Sequence, residues 1–290
     1  GEGSKRERYL TEWSFRYSQN IDGIMPFFLG RGTRLNYAAA QMLLARAYLY
    51  TGNLNAAHET AQNILTRYVA PLNIVPASEG FSYLVANNPA WNSSDNQSYP
   101  HKLMQEILFG LYNAKLSSNY EGITANSRNA FALKNVEGVY QNDLSDTRYG
   151  KLIYEENPGA KGEDLIYRTL KYNVTNNVTA LENFTVPMIR IPEIQFIVLE
   201  CLSVNDLPKA VTELNRFRKN VRGCTVDITA DTRSEFLIAL SKEIKREYAC
   251  EGAHYFFFCK RHRLPVNDGI SDINLSDKFT LPTPQNEISL

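Results

Sequence analysis

The stretch LNYAAAQMLLARAYLYTGNLNAAHETAQNIL, residues 35–65, carries the clearest fold signal in the chain. Its first half predicts a helix that packs through small and apolar residues at helical spacing, namely Ala40, Leu43, Leu44, Ala47 and Tyr48. Gly52-Asn53 ends this helix, and a second apolar pattern follows before Pro71. The two halves together follow the tetratricopeptide pattern, carried by Leu44, Ala45, Tyr48, Gly52, Ala57, Ala61 and Ile64. The sequence therefore predicts a helical hairpin over 35–69.

A second hairpin is predicted over 190–221, where the chain reads RIPEIQFIVLECLSVNDLPKAVTELNRFRK at 190–219. Asn205-Asp206 makes its turn, and Ala210 stands where Ala57 stood in the first hairpin. The corresponding packing positions are Ile197, Cys201, Leu214 and Phe217. Two such units indicate a helical-repeat scaffold.

A third helix is predicted over 232–256. It opens with Thr232-Arg233-Ser234-Glu235, which has the form of a capping box. Its apolar positions continue to Tyr248 and lead directly into the segment CEGAHYFFFCKRH, residues 250–262.

The region between the hairpins, residues 71–188, has a different character. It is rich in Pro, Asn, Ser, Tyr and Gly, most of all at 87–100, NNPAWNSSDNQSYP. Short apolar runs at 107–112, 151–156 and 164–172 predict small strands. We therefore expect a single domain over 1–290 that is mostly α, with tetratricopeptide-like hairpins and a loop-rich insertion carrying short β-strands.

The overall composition excludes some classes of partner. The chain has 31 Lys and Arg residues and 31 Asp and Glu residues, so no net charge attracts nucleic acid or an anionic membrane. No apolar run reaches the roughly 20 residues of a membrane-spanning helix.

The segment 250–262 holds two cysteines and two histidines, which raises the question of a metal site. On one continuous helix Cys250 and His254 share a face, whereas Cys259 and His262 point to the far side. The spacing also lacks the paired ligands of structural zinc sites. We expect a buried aromatic helix end without metal or cofactor, and free buried thiols at all four cysteines. The sequence leaves the redox compartment undecided.

The loop at 87–100 is the best candidate for a ligand site. Trp91 and Tyr99 supply aromatic faces for the C–H side of a sugar ring, and Asn92 and Asn96 supply amides for its hydroxyl groups. Tyr112 and Tyr120 are secondary candidates. The alternative is a solvated loop whose tryptophan is buried in the core.

An enzymatic site is less favoured by the sequence. Glycoside hydrolases use two carboxylates, and Glu193 with Glu200 or Glu247 with Glu251 would supply such pairs on one helix face. Because basic residues such as Arg190 lie nearby, helix-surface or scaffold ion pairs are the better interpretation. No hydrolase, metalloprotease or nucleotide-binding motif is present. We expect a protein that is not an enzyme.

Six segments in order resemble the SusD/RagB outer-membrane nutrient-binding lipoproteins of Bacteroidetes. They are GRGTRLNYAAAQMLLARAYLYTGN at 30–53, EILF at 106–109, DTRY at 146–149, IRIPEIQFIVLECL with AVTELNRFR at 189–218, EIKREYACEGAHYFFFCKR at 243–261 and FTLPTPQNEI at 279–288. In the last helix Tyr255 and Phe256 match the family's aromatic pair, whereas His254 and Phe257 depart from its usual Arg and Asp.

The resemblance implies non-catalytic capture of a glycan, or of another oligomeric nutrient, at the cell surface. It also implies handover to a SusC-type TonB-dependent transporter and attachment to the outer membrane only through a lipid anchor, whose cysteine this sequence lacks. Family members ordinarily have a longer region before the segment matching 30–53, so the chain is expected to be a truncated or a short member. A tetratricopeptide protein-interaction scaffold without sugar affinity stays open as the alternative.

Overall fold

The computed structural model describes residues 31–69, 106–126, 130–162, 165–173, 181–275 and 279. The described residues form a mostly helical fold with a few short antiparallel strands, which confirms the predicted fold class. Within these residues, no helix has both the length and the apolar character needed to cross a membrane.

The first hairpin consists of helices α1 (Tyr37–Tyr50) and α2 (Leu54–Ile64), and α2 continues into a π-helical turn at Leu65–Val69. Asn36 and Asn53 cap the two helices through their side-chain oxygens. Gly52 supplies the left-handed backbone of the turn, with φ of 78°. The hairpin predicted over 35–69 is confirmed.

The predicted packing face of α1 is wrong. The core side of the helix is Ala38, Ala39, Met42, Ala45 and Leu49, whereas Ala40, Leu43, Leu44 and Ala47 are exposed and Tyr48 is half-buried. Because α1 is apolar around most of its circumference, two faces satisfy the helical spacing. Tertiary packing selects between them, above all the packing against α2, where Ala45, Ala57 and Ala61 are fully buried.

The second hairpin consists of α6 (Ile191–Asn205) and α7 (Leu207–Arg216), with a π-helical turn at Phe217–Val221. Asp206 caps α7 by accepting a hydrogen bond from the backbone N–H of Lys209 at 3.1 Å. The four predicted packing residues are all buried in the main core: Ile197, Cys201, Leu214 and Phe217. Helix α6 packs against α2, and this contact joins the two hairpins.

The insertion contains the predicted strands and one that was not predicted. Strand β1 (Ile107–Tyr112) pairs antiparallel with β4 (Thr185–Arg190), and β2 (Ile153–Glu155) pairs antiparallel with β3 (Tyr167–Thr169). Pro187 in β4 weakens its sequence signal, since proline cannot donate to the ladder. Short helices α3 (Leu116–Asn126), α4 (Val136–Val139) and α5 (Thr147–Leu152) lie between the strands.

The predicted helix over 232–256 is two helices. Helix α8 (Arg233–Glu247) begins with the predicted capping box between Thr232 and Glu235, and α9 (His254–His262) follows a break. Cys250 and Gly252 in the break have φ of 62° and 56°, and two left-handed residues cannot continue an α-helix. The prediction that Cys250 and His254 share one helical face is therefore wrong. A hairpin of β5 (Val266–Asn267) and β6 (Asp272–Ile273) follows.

A cluster of buried charges joins the insertion to the helices. Glu106 beside β1, Arg190 at the end of β4 and Glu247 at the end of α8 form its centre. We call this network the central charge cluster; its other members are Asp146, Arg148, Lys171, Arg218, Arg222, Glu243, Arg246 and Glu251. All of its side chains are buried. Helix-surface or scaffold ion pairs were the predicted role of Glu247 and Glu251. The structure shows buried scaffold pairs, although Glu251 lies beyond the end of α8 and the two residues do not share one helix face.

Candidate functional site

The loop at 87–100 lies outside the described residues, so its predicted ligand contacts stay predictions. These concern Trp91, Asn92, Asn96 and Tyr99. Residues 70–105 as a whole are outside the described part.

Tyr112 lies at the end of β1 and is 67% exposed. Its ring centroid is 5.5 Å from that of Phe184, at an interplanar angle of 42°. The phenyl ring supports the tyrosine ring on one side and leaves the rest accessible. Tyr112 can therefore offer an aromatic face to a ligand.

Tyr120 lies on α3 and has a different environment. It is only 6% exposed, and its hydroxyl donates a hydrogen bond to the carbonyl oxygen of Thr169 at 3.1 Å. Its ring lies 5.4 Å from that of Tyr172. This environment favours a packing role, in which Tyr120 holds α3 against the β2–β3 pair.

A cavity of about 530 Å³ lies between α1, β4, α6, the break after α8, and α9. Its volume is within the usual range for small-molecule sites, about 300–1,000 Å³. Two ion pairs line it, one around Glu193 and one around Glu200, together with several aromatic rings. We call it the ion-pair cavity.

The first ion pair joins α1 to α6. Arg46 donates two hydrogen bonds to the carboxylate of Glu193, each at 2.8 Å. Burial raises the pKa of Glu193, and the nearby Arg46 only partly offsets this. The surroundings of Glu193 therefore stabilise its charged form less than burial destabilises that form.

His254, the first residue of α9, faces this pair. Its Nδ1 is 3.8 Å from the carboxylate of Glu193, and its ring lies 4.1 Å from that of Tyr248. Burial, and secondly the charge of Arg46, lower the pKa of His254 to about 4. At neutral pH the imidazole is uncharged and has one donor and one acceptor nitrogen.

The second ion pair lies two turns further along α6. Arg261 donates to both oxygens of Glu200, at 2.9 and 2.6 Å, and His262 lies 2.7 Å from the same carboxylate. Burial alone would raise the pKa of Glu200, but the hydrogen bonds from His262 and Arg261 outweigh it and lower the pKa. The guanidinium of Arg261 also lies 5.0 Å from the ring centroid of Tyr50.

The aromatic part of the cavity is accessible. Tyr50 at the end of α1 is 52% exposed and Phe257 on α9 is 45% exposed. The other aromatic residues of the lining are Tyr172, Phe196, Tyr248 and Phe258. The cavity thus combines flat apolar surfaces with fixed donors and acceptors, which is the combination that sugar recognition requires.

Two carboxylates of the cavity, Glu193 and Glu200, are each held by an arginine. An ion pair of this kind favours the ionised form of the carboxylate and fixes its position. Helix-surface or scaffold ion pairs were the predicted role of Glu193 and Glu200. Scaffold pairs are found, but their partners are Arg46 and Arg261 and not the nearby Arg190.

All four cysteines are free thiols, and Cys201, Cys224 and Cys259 are buried. Cys250 lies in the helical break, its sulfur 3.9 Å from the carbonyl oxygen of Phe131. Among the described residues, no group of three or more His, Cys, Asp or Glu side chains is arranged to hold a metal ion.

Sequence reasoning did not bring the cavity residues together in one site, although a signal was present. Arg46 is the one charged residue in α1, and Glu193 and Glu200 are the two charged residues in α6. Isolated charges on otherwise apolar helices are rarely buried without a partner. That rule could have paired them, but the choice of partner needed the tertiary structure.

The solved structures that are similar to this chain agree on the fold. A scan of the sequence against protein-family models gives no match, and a search of curated proteins gives none either. A SusD superfamily protein from Bacteroides vulgatus matches 88% of this chain, with a TM-score of 0.57 and 19% identity. A SusD superfamily protein from Bacteroides thetaiotaomicron also matches 88%, with a TM-score of 0.54 and 20% identity.

A third similar structure is a SusD-like carbohydrate binding protein from Bacteroides vulgatus, which matches 81% of this chain with a TM-score of 0.51 and 17% identity. The chain spans 47% to 58% of the length of these three proteins. At such low identity the likeness establishes the architecture: this chain has the fold of the SusD superfamily.

Proposed function

We propose that this protein captures a glycan, or another oligomeric nutrient, without catalysing a reaction. The observation that carries the proposal is the SusD-type fold over most of the chain, which a protein named as carbohydrate binding shares. The exposed ring of Tyr112 supplies a surface of the right kind, and the aromatic residues in the segment 87–100 are proposed to supply another.

Capture without chemistry is consistent with the buried acids. The carboxylates of Glu193, Glu200 and Glu247 are all paired with arginines. Shallow aromatic surfaces bind flexible ligands weakly, because ordering the ligand costs entropy. Weak binding suits a protein that passes its ligand on.

The proposal extends to location and partner. The protein would act at the outer face of the outer membrane, held by a lipid anchor, and would pass its ligand to a SusC-type TonB-dependent transporter. Co-purification of the tagged protein with such a transporter from the native membrane tests this part. Recovery of the protein without any TonB-dependent transporter would contradict it.

The glycan proposal is tested by calorimetry and affinity gels with the full chain. The panel contains neutral polysaccharides (starch, mannan, xylan) and acidic ones (polygalacturonate, heparin). We expect binding to at least one of them, and we expect Trp91→Ala and Tyr112→Ala each to weaken it by about tenfold through loss of an aromatic contact. A wild-type chain that binds none of them would contradict glycan capture.

A further inference from the structure

We propose that the ion-pair cavity is a second glycan-binding site, in addition to the contacts predicted at 87–100, and that it takes a neutral oligosaccharide. This inference rests on the proposed function and adds a place and a ligand class to it. Four features of the cavity carry it: its accessible rings, its unused hydrogen-bonding groups, its balance of charge and the spacing of its two ion pairs.

The accessible rings are Tyr50 and Phe257, which line the cavity from two different helices, α1 and α9. Both remain about half exposed. Large rings exposed beside a concave surface can bury apolar area only when something occupies that surface. The faces of a pyranose ring are C–H surfaces that pack on such rings.

The unused hydrogen-bonding groups lie around Glu193. Among the described residues, Arg46 is the one hydrogen-bond partner of this carboxylate. Since a carboxylate accepts about four hydrogen bonds, ligand hydroxyl groups can still donate to it. The imidazole of His254, whose nitrogens have no hydrogen-bond partner in the described part of the chain, adds a donor and an acceptor beside it.

Around Glu200 the arrangement is tighter. Arg261 and His262 together occupy both of its oxygens. This end therefore presents the edge of a guanidinium and the ring of Tyr50 to a ligand, with little acceptor capacity left. The two ends of the cavity consequently make different contacts, one mainly through hydroxyl groups and one mainly through ring faces.

The charge balance points to a neutral ligand. Arg46 is paired with Glu193, and Arg261 with Glu200. Glu251, the third carboxylate in the lining, is paired with Arg190 and Lys171. A charged ligand group would have to break one of these pairs, which is costly in a buried setting.

The spacing of the two ion pairs along the cavity points to an oligomer. Glu193 and Glu200 are seven residues apart on α6, which places them about 10 Å apart along the helix axis. The cavity volume of about 530 Å³ leaves room for more than one sugar ring along that line.

The test uses the full chain with Trp91→Ala and Tyr112→Ala combined, so that the loop site is weakened first. Into this background we introduce Phe257→Ala or Tyr50→Ala. Phe256→Ala is the matched control, because Phe256 is the neighbouring phenylalanine, is 37% exposed and does not line the cavity. Calorimetry measures binding of the panel polysaccharides and of their short oligosaccharides, and circular dichroism checks folding.

We expect residual binding of a neutral glycan in the loop variant, about tenfold weaker after Phe257→Ala or Tyr50→Ala and unchanged after Phe256→Ala. Complete loss of binding in the loop variant would overturn the second site while leaving glycan capture in place. Residual binding that is unchanged by both Phe257→Ala and Tyr50→Ala would also overturn the second site. A preference for polygalacturonate or heparin that is lost on substitution of the cavity residues would refute the neutral ligand class. A wild-type chain that binds none of the glycans would contradict both glycan capture and the second site.

Discussion

Replacing Glu247 by glutamine should destabilise the protein strongly, because this side chain holds the centre of the central charge cluster. One carboxylate oxygen accepts hydrogen bonds from Arg190 at 2.7 Å and from Arg222 at 2.8 Å. The other accepts from Arg222 at 2.8 Å and from Arg148 at 3.2 Å. Burial would raise the pKa of Glu247, but the charges of Arg222 and Arg190 outweigh it and hold the pKa well below its usual value.

The magnitude follows from what the substitution leaves behind. Glutamine keeps the shape of the side chain but loses the charge, and its amide N–H₂ group faces guanidinium N–H groups that also need acceptors. Removing one partner of a buried ion pair typically costs about 3–5 kcal/mol. Because a domain is stable by only about 5–15 kcal/mol in total, this is a large fraction of the free energy of unfolding.

The assay is urea denaturation followed by circular dichroism, with the free energy of unfolding obtained by linear extrapolation. Glu213→Gln is the matched control: Glu213 pairs with Arg216 at 2.6 Å on the exposed face of α7. An exposed pair of this kind contributes about 0–1 kcal/mol. If Glu247→Gln cost no more than the control, the assignment of Glu247 as a structural centre would be refuted.

Three further outcomes are expected. Because burial and Arg46 lower the pKa of His254 to about 4, the unfolded chain takes up this proton more readily than the folded one. The free energy of unfolding should therefore fall by up to about 1.4 kcal/mol per pH unit, from pH ~6.5 down to ~4; denaturation curves of His254→Gln should lack this component, and equal slopes would argue against it. Gly252→Ala should destabilise by about 1–2 kcal/mol because φ is 56°, whereas Gly122→Ala on α3, with open space around it, should stabilise by about 0.5–1 kcal/mol; thermal melts showing the same sign for both would contradict the strain argument. Thr232→Ala should cost about 0.5–2 kcal/mol, since it removes the hydrogen bond to the backbone N–H of Glu235 at 3.2 Å; an unchanged urea midpoint would count against the capping box.

The hairpins could be read from the sequence because their signals are local. Helical spacing, the cap residues Asn53 and Asp206, and the turn glycine Gly52 all act within a few residues. The capping box at Thr232 is of the same kind. The strand at 107–112 was also predicted correctly. Strand β4 was not predicted, because Pro187 weakens its strand pattern and its pairing with β1 is visible only in the structure.

The helical break after α8 shows where local signals fail. Residues 248–253 contain a single glycine and no proline, so the sequence pattern predicts a helix that continues across them. In the structure Glu251 turns inward to pair with Arg190 and Lys171. Arg190 lies in β4 and Lys171 follows β3, so no pattern within residues 248–253 predicts these two ion pairs.

The sequence by itself determined the helical hairpins, their order and the resemblance to the SusD-type fold, because short-range periodicity and capping specify them. The tertiary structure alone decided which face of α1 is buried, which charges pair, and that Arg46, Glu193, His254 and Phe257 share a cavity. The physical reason is that apolar burial is non-directional. A buried charge, in contrast, requires a particular partner, and for Arg46 that partner, Glu193, is 147 residues away in the chain.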